Sequence, residues 1–367
     1  MDKERLKVGV IGFGRMGRLY VEEIRRNPLW TLAYICDSDE ETRKAAAMVA
    51  PEAVITDDED DIFGDPDVNV VGLFTLADAR PAQIREALKT GKHVLAEKPV
   101  ADDIATEWEI VDAVERSGLM FTVNMCNRNA WYHKEMIDFI RSGEIGELAI
   151  VRVAHMTPGH MPQEGHEPEG PAFHDCGMHY VDVARWYAGG EYATYHAQGV
   201  RMWSHESPWW VQVHGAFQNG VVFDITQGSV YGHMAKDQTH NCYVDVIGSK
   251  GIARTTHDYK TATVELHGVT RTVIKTGDFK DKQIDVMIDV FGRSILAGKN
   301  LGFPTVRDSV IASDMAWKML RDAEKNGAPC IGRPEEMDEI LARRRAMTNG
   351  YGLPARRQKR SSHLPPK

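Results

Sequence analysis

Near its start the chain runs a short apolar stretch into a glycine-rich turn, Val8-Gly9-Val10-Ile11-Gly12-Phe13-Gly14-Arg15-Met16-Gly17, and a helical pattern follows. A Gly-x-Gly-x-x-Gly turn between a strand and a helix suits the pyrophosphate of a dinucleotide. Gly12 permits the tight turn, Gly14 lets the phosphates approach the backbone, and Gly17 lets helix and strand pack closely. Phe13, Arg15 and Met16 complete the turn. A second strand is expected over 30–36, and it ends at Asp37, twenty positions after Gly17. That is the spacing at which a carboxylate meets the adenosine ribose hydroxyls. It would repel a 2′-phosphate, so NAD is expected in preference to NADP, although Arg15 could offset such a phosphate. Without a ligand the pattern is only a tight βα turn. Here strand, turn, helix, second strand and acid all fall in order.

Alternation continues through the first third. Helices are expected over 40–49, 81–90 and 102–116, and strands over 68–74, 93–96 and 121–125. The acidic stretch 57–61 reads as a solvated helix start. Strand–helix alternation of this kind implies a doubly wound parallel sheet. After a helix over 130–142 the pattern changes. Segments near 149–155, 194–203, 209–218, 221–228, 242–247, 251–256, 263–267 and 272–275 carry β-branched residues between turn signals, and Asn219-Gly220 is a hairpin signal. A mainly antiparallel sheet is expected there, with helices returning over 285–296, 306–326 and 335–346. The fold class is therefore α/β, with an N-terminal Rossmann doubly wound sheet over 1–123 and an α/β domain with a mainly antiparallel sheet over 124–350. The basic segment 351–367 has no apolar face and reads as a flexible tail or an arm over a neighbouring subunit.

Composition narrows the functions. At 43% hydrophobic and 26% charged the chain is ordinary for a globular protein, and a net charge of −9 argues against general nucleic-acid binding. No signal peptide and no stretch long enough to span a membrane are present, which points to the cytoplasm. The five cysteines are scattered, with no Cys-x-x-Cys, and read as free thiols.

Lys98 is oddly placed for a lysine. It lies between Glu97 and Pro99, directly after the apolar run Val94-Leu95-Ala96. The carboxyl end of a buried strand is where ligands bind in an open α/β sheet. Further on, Asp175 and His179 stand four apart ahead of a helical pattern over 180–187, which can bring both to one side of its entrance. Oxidising an alcohol requires proton removal, which suits histidine, and stabilisation of charge on oxygen, which suits an ammonium. His179 is assigned as general base, Lys98 as electrostatic partner and proton relay, and Asp175 as orienting residue. Asp182 is expected to pair within the fold. Five histidines fall between His155 and His179, in a Pro- and Gly-rich setting without a His-Glu-x-x-His helix, so no metal is expected. His174 is the strongest further candidate for a substrate contact, while His160 and His166 read as solvated. Trp203, Trp209 and Trp210 read as sheet-face or subunit packing.

The glycine turn, Glu97-Lys98-Pro99 and Asp175-Cys176-Gly177-Met178-His179-Tyr180-Val181-Asp182 together resemble the glucose–fructose oxidoreductase / inositol dehydrogenase / rhizopine catabolism family, written Gfo/Idh/MocA. The likeness runs from about 7 to 331. It implies hydride transfer between NAD(P) and a secondary hydroxyl of a sugar, cyclitol or sugar derivative. In that pattern Lys98, Asp175 and His179 are catalytic, and Thr75, Glu97 and Lys98 sit beside the cofactor. Asn124, Arg128, His155 and His174 join the substrate site, and Lys98–Pro99 is often cis. The likeness implies too that the predominantly antiparallel sheet of the second domain is open, and such a sheet suggests a homodimer or homotetramer. Some relatives instead cleave glycosides by transient NAD oxidation, and a non-catalytic NAD-binding regulator is the remaining alternative. The chain departs from its relatives at Thr75-Leu76-Ala77-Asp78-Ala79-Arg80, where they often read Thr-Pro-Asn with a histidine soon after. It departs again at 170–174, where they carry a Gly-Gly pair.

Overall fold

A computed structural model describes residues 5–158, 170–203, 205–232, 235, 239–280, 282–336, 339 and 342. The first part runs β1 (Leu6–Ile11), α1 (Arg15–Arg26), β2 (Trp30–Cys36), α2 (Glu40–Val49), β3 (Val54–Thr56), α3 (Asp60–Phe63), β4 (Val70–Leu73), α4 (Arg80–Lys89), β5 (His93–Ala96), α5 (Ile104–Ser117) and β6 (Phe121–Val123). These strands form one parallel sheet in the order β3-β2-β1-β4-β5-β6. The order reverses direction between β1 and β4. That crevice, outside the carboxyl ends of the strands, is the usual ligand position of a doubly wound sheet. All four residues of β4 are buried, as expected for a strand covered by helices on both faces. The acidic stretch does open a helix, α3, which starts at Asp60. The three-residue β3 before it is too short to show a period in sequence.

A 3₁₀ turn (Cys126–Asn129) then leads into α6 (Trp131–Arg141), β7 (Leu148–Met156), a π turn (Phe173–Gly177) and α7 (Met178–Ala188). β8 (Tyr192–Met202), β9 (Trp210–Phe217), β10 (Val222–Gly228), β11 (Asn241–Gly248), β12 (Ile252–His257), β13 (Thr261–His267), β14 (Thr272–Asp278), α8 (Ile284–Ala297), α9 (Val306–Lys325) and β15 (Cys330–Ile331) complete the described elements. The second sheet has nine strands in the order β14-β13-β12-β11-β7-β10-β9-β8-β15. It is antiparallel except where β7 meets β10 and β8 meets β15. The first exception arises because α7, β8 and β9 intervene before the chain returns beside β7. Gly220 takes φ +87° in the hairpin between β9 and β10, as Asn219-Gly220 led one to expect. The two-residue β15 carries no sequence signal. Of the helix expected over 335–346, a 3₁₀ turn, Pro334–Glu336, and helical backbone at Glu339 and Ala342 are described; 351–367 lies outside the described residues.

Two helices tie the sheets together. α8 follows the second sheet in sequence, yet Met287, Ile288 and Phe291, all fully buried, pack into the core of the first. Trp30 Nε1 donates to the Ile288 carbonyl at 3.2 Å. α9 begins on a capping box between Thr305 and Asp308 and lies against α5 on one side and α7 and β8 on the other. The cysteines at 36, 126, 176, 242 and 330 are all free. Among the described residues no helix is long and apolar enough to cross a membrane.

Candidate active site

The glycine turn divides into packing and access. Gly12 has φ +90°, and a Cβ there would lie 2.8 Å from the Phe74 carbonyl carbon. A Cβ on Gly17 would lie 2.0 Å from the Gly12 carbonyl oxygen. Both positions therefore exclude a side chain for steric reasons. At Gly14 a Cβ would meet nothing within 4 Å, so the backbone stands open at the amino end of α1, which has no side-chain cap. This open helix end suits a pyrophosphate. Asp37 sits at the end of β2 with Oδ2 accepting from the Phe13 N–H at 2.7 Å and Oδ1 from the Asp39 N–H at 3.0 Å. Its carboxylate is thus fixed beside the turn, and the arrangement fits a dinucleotide.

A cavity of about 490 Å³ opens from this cradle. Gly14, Arg15, Met16, Thr75, Glu97 and Lys98 line it from the first sheet, and Asn124 from the crossover. Gly12, Phe13, Gly17 and Asp37 are not among its lining residues. Glu97 is buried, and its Oε1 accepts from the Tyr20 hydroxyl at 3.1 Å. Asn124 is also buried, with no hydrogen-bond partner for its Oδ1. The Lys98–Pro99 bond is cis.

Opposite stand Asp175 and His179. Asp175 lies in the π turn and His179 in the first turn of α7, so the helix they share begins earlier than the sequence pattern indicated. Gly177 keeps the turn tight, because a Cβ there would lie 2.8 Å from the Phe173 ring. Lys98 Nζ donates to the Asp175 carboxylate and, at 2.9 Å, to its carbonyl oxygen. The carboxylate expected to orient His179 therefore holds Lys98. His179 Nδ1 is buried without a hydrogen bond. Burial, then the charges of Lys98 and Lys282, push the His179 imidazole down to about 3, so it is neutral at physiological pH.

The far wall is aromatic. The His155 ring stacks on Tyr180 at 4.3 Å, and its Nε2 meets the Tyr259 hydroxyl. Burial, then His257 and His179, hold His155 well below its ordinary range. Tyr259 has φ +66° in the β12–β13 turn, where Asp258 accepts from the Lys260 and Thr261 N–H groups. Trp209, read from the sequence as packing, lines the cavity and stacks on His205 at 3.8 Å. Lys282, Tyr180 and Tyr259 also line it and were missed. Lys282 sits in a charged stretch that reads as a solvated turn, so nothing in the sequence singled it out.

Two expected substrate contacts do not reach the cavity. The 3₁₀ turn directs Arg128 toward α7, where Nε and Nη2 donate to Asp182 at 2.8 and 2.6 Å, and Nη2 lies 3.2 Å from Asp308. Asp182 pairs within the fold, as expected. His174 points from the π turn into α9, with Nε2 2.8 Å from Ser313 Oγ and its ring stacked on Trp317 at 4.6 Å. Among the described residues no group of three or more His, Cys, Asp and Glu could hold a metal ion. His160 and His166 lie outside the described residues.

Residues 6–125 match the model of an oxidoreductase family with an NAD-binding Rossmann fold, and residues 133–254 match the Gfo/Idh/MocA C-terminal domain. The oxidoreductase YrbE of Bacillus subtilis is 28% identical over 288 residues, spanning 76% of this chain and 80% of its own. Inositol 2-dehydrogenase of Salmonella typhimurium is 24% identical over 344 residues, spanning 91% of this chain and 98% of its own. Among solved structures, scyllo-inositol dehydrogenase from Lactobacillus casei with bound NAD(H) and scyllo-inositol has a TM-score of 0.73 at 20% identity, covering 88% of this chain and 98% of that one. An oxidoreductase from Agrobacterium radiobacter in complex with NAD+, L-tartaric acid and magnesium has a TM-score of 0.78 at 18% identity, covering 88% of this chain and 97% of that one.

Proposed function

The chain belongs to the Gfo/Idh/MocA oxidoreductase family, and from that premise we propose that Lys98, Asp175 and His179 act together to oxidise a secondary hydroxyl of a sugar, cyclitol or sugar derivative, with NAD as cofactor. The observation that carries this reading is that the three side chains share one cavity with Gly14 and Thr75. When bound, the nicotinamide supplies the hydride acceptor. The Lys98 ammonium, held by Asp175, donates to the substrate oxygen and stabilises the negative charge that grows there. The neutral imidazole of His179 takes the hydroxyl proton. In the resting site His179 is a weak base because burial, and after it the lysine charges, oppose its protonation. An alkoxide forming on Lys98 cancels part of that field, so the base strengthens as the proton moves.

The aromatic wall of Tyr180, Trp209 and Tyr259, with His155 among it, favours a substrate with a ring C–H face to stack and hydroxyls to bond. Inositol 2-dehydrogenases among the relatives act on such ring polyols by name. The exposed face of the second sheet supports association into a dimer or tetramer, which sedimentation would read.

The test is a screen of sugars, cyclitols and glycosides with NAD and NADP in parallel, following reduced-cofactor absorbance. Accumulating NADH with a ring polyol is the expected result. Glycoside cleavage without net NADH would favour transient oxidation instead. A chain that binds NAD yet turns over nothing in the panel would overturn the reading.

A further inference from the structure

Arg80 is a buried cation that the chemistry above leaves without a role. It opens α4, is 3% exposed and reaches the cavity wall. Its Nη1 donates to the Pro99 carbonyl at 2.5 Å, and its Nη2 donates to the Thr75 carbonyl. Those carbonyls follow β5 and β4, neighbouring strands of the sheet, at their carboxyl ends. A guanidinium fork can span both at once, and an ammonium cannot. Burying such a group is costly unless its donors are satisfied, so its presence beside the catalytic lysine calls for an explanation.

The backbone on either side of Lys98 is also held by other elements. The Glu97 N–H donates to the Leu73 carbonyl at 3.1 Å, and the Val100 N–H donates to the buried carboxyl of Glu107 at 3.1 Å. Between them Arg80 takes the Pro99 carbonyl from α4. The Thr75 loop is held from the same helix, with its hydroxyl on Gln83 Oε1 at 2.6 Å.

We propose that Arg80 is the positioning residue of Lys98. By clamping the Thr75 and Pro99 carbonyls it fixes the spacing between the Thr75 loop and the lysine, and so directs the ammonium onto Asp175. The role rests on the oxidoreductase reading, because it serves the lysine of that reaction, and it acts through Lys98.

The test compares wild type with Arg80→Ala and Arg80→Lys by two readouts. The first is the rate at which an amine-reactive ester acylates Lys98, followed by mass spectrometry without any substrate. Release of the clamp should speed acylation. The second is steady-state kinetics on the best substrate of the wild type. Turnover should fall about a hundredfold in Arg80→Ala, the scale of a misplaced catalytic group, while the KM for NAD stays near wild type. Arg80→Lys should lie between. If Arg80→Ala fails to fold, Arg80→Lys carries both readouts. Lys98 acylated at the wild-type rate, or turnover retained, overturns the proposal, and so does a parallel loss of NAD binding, which would make Arg80 a cofactor ligand. If the wild type itself turns over nothing, the oxidoreductase reading fails, while acylation still decides whether Arg80 positions Lys98.

Discussion

The Lys98 ammonium is held by the carboxylate and the main-chain carbonyl of Asp175, the latter at 2.9 Å, so the first sheet and the π turn meet at one ion pair. On the proposed chemistry, Lys98→Ala removes the group that stabilises charge on the substrate oxygen. Turnover should fall about a hundredfold or more, as when one such donor is deleted. NADH binding, followed by its fluorescence, should be kept, because Gly14 and Asp37 are untouched. Asp175→Asn leaves the carbonyl contact and should cost less. Equal turnover in Lys98→Ala and the parent would remove Lys98 from the chemistry.

The His179 prediction concerns pH. An unperturbed histidine gives a rising limb in kcat/KM near 6.5, since the base must lose its proton first. Burial, Lys98 and Lys282 hold His179 down to about 3, so the wild-type rate should show no His179 limb around neutrality. Lys282→Met takes away one opposing charge but leaves burial, the largest cause, and Lys98 in place, so the imidazole should rise only part of the way. A rising limb should then enter from the acid side. Superimposable pH–rate profiles for variant and parent would show that Lys282 does not set this base.

The residues that were legible in sequence are those whose signal is local. Gly12, Gly14, Gly17 and Asp37 declare a dinucleotide cradle because strand, turn and acid recur at fixed spacing. Asp175 and His179 share a helix entrance, so four positions suffice. Arg128 and His174 turn away from the cavity toward Asp182, Asp308 and Ser313, partners distant in sequence that no local pattern announces. Lys282 and Tyr259 were missed, and Trp209 was read as packing, for the same reason. Each reaches the cavity only through the register of the second sheet or the packing that follows it, and neither is written in the flanking residues.

Stability should also depend on pH, with opposite signs on the two sides. Burial holds His133 and His179 at about 3 and, with the charge of Lys98, His174 at about 4, so all three are neutral in the fold. In the unfolded chain they protonate near 6.5. Between that value and their folded ones the unfolded state binds more protons, so the stability they contribute is lost as pH falls below about 6.5. Glu107 runs the other way. Burial pushes it up to about 8 from 4.5, so it stays protonated in the fold. Its contribution is complete below about 4.5 and is lost as pH rises toward 8. Glu107→Gln keeps a carbonyl for the Val100 N–H and removes the titration. Its Tm relative to wild type should therefore be higher at pH 8 than at pH 5. The reverse order by calorimetry would contradict this assignment.

Arg128 and Asp182 form a buried pair, with side chains 11% and 1% exposed, between the 3₁₀ turn and α7. Arg128→Met would leave Asp182 as an uncompensated charge. A loss of about 3–5 kcal/mol is the usual cost of removing one partner from such a pair. Replacing both, as Arg128→Met with Asp182→Leu, removes the stranded charge as well, so the double variant should be more stable than Arg128→Met alone. Urea unfolding of the single and double variants measures the difference. The same proteins test whether Arg128 touches substrate. Because its guanidinium is committed to Asp182 and Asp308, substrate KM in the folded fraction should stay near wild type. A raised KM with unchanged stability would return Arg128 to the substrate site.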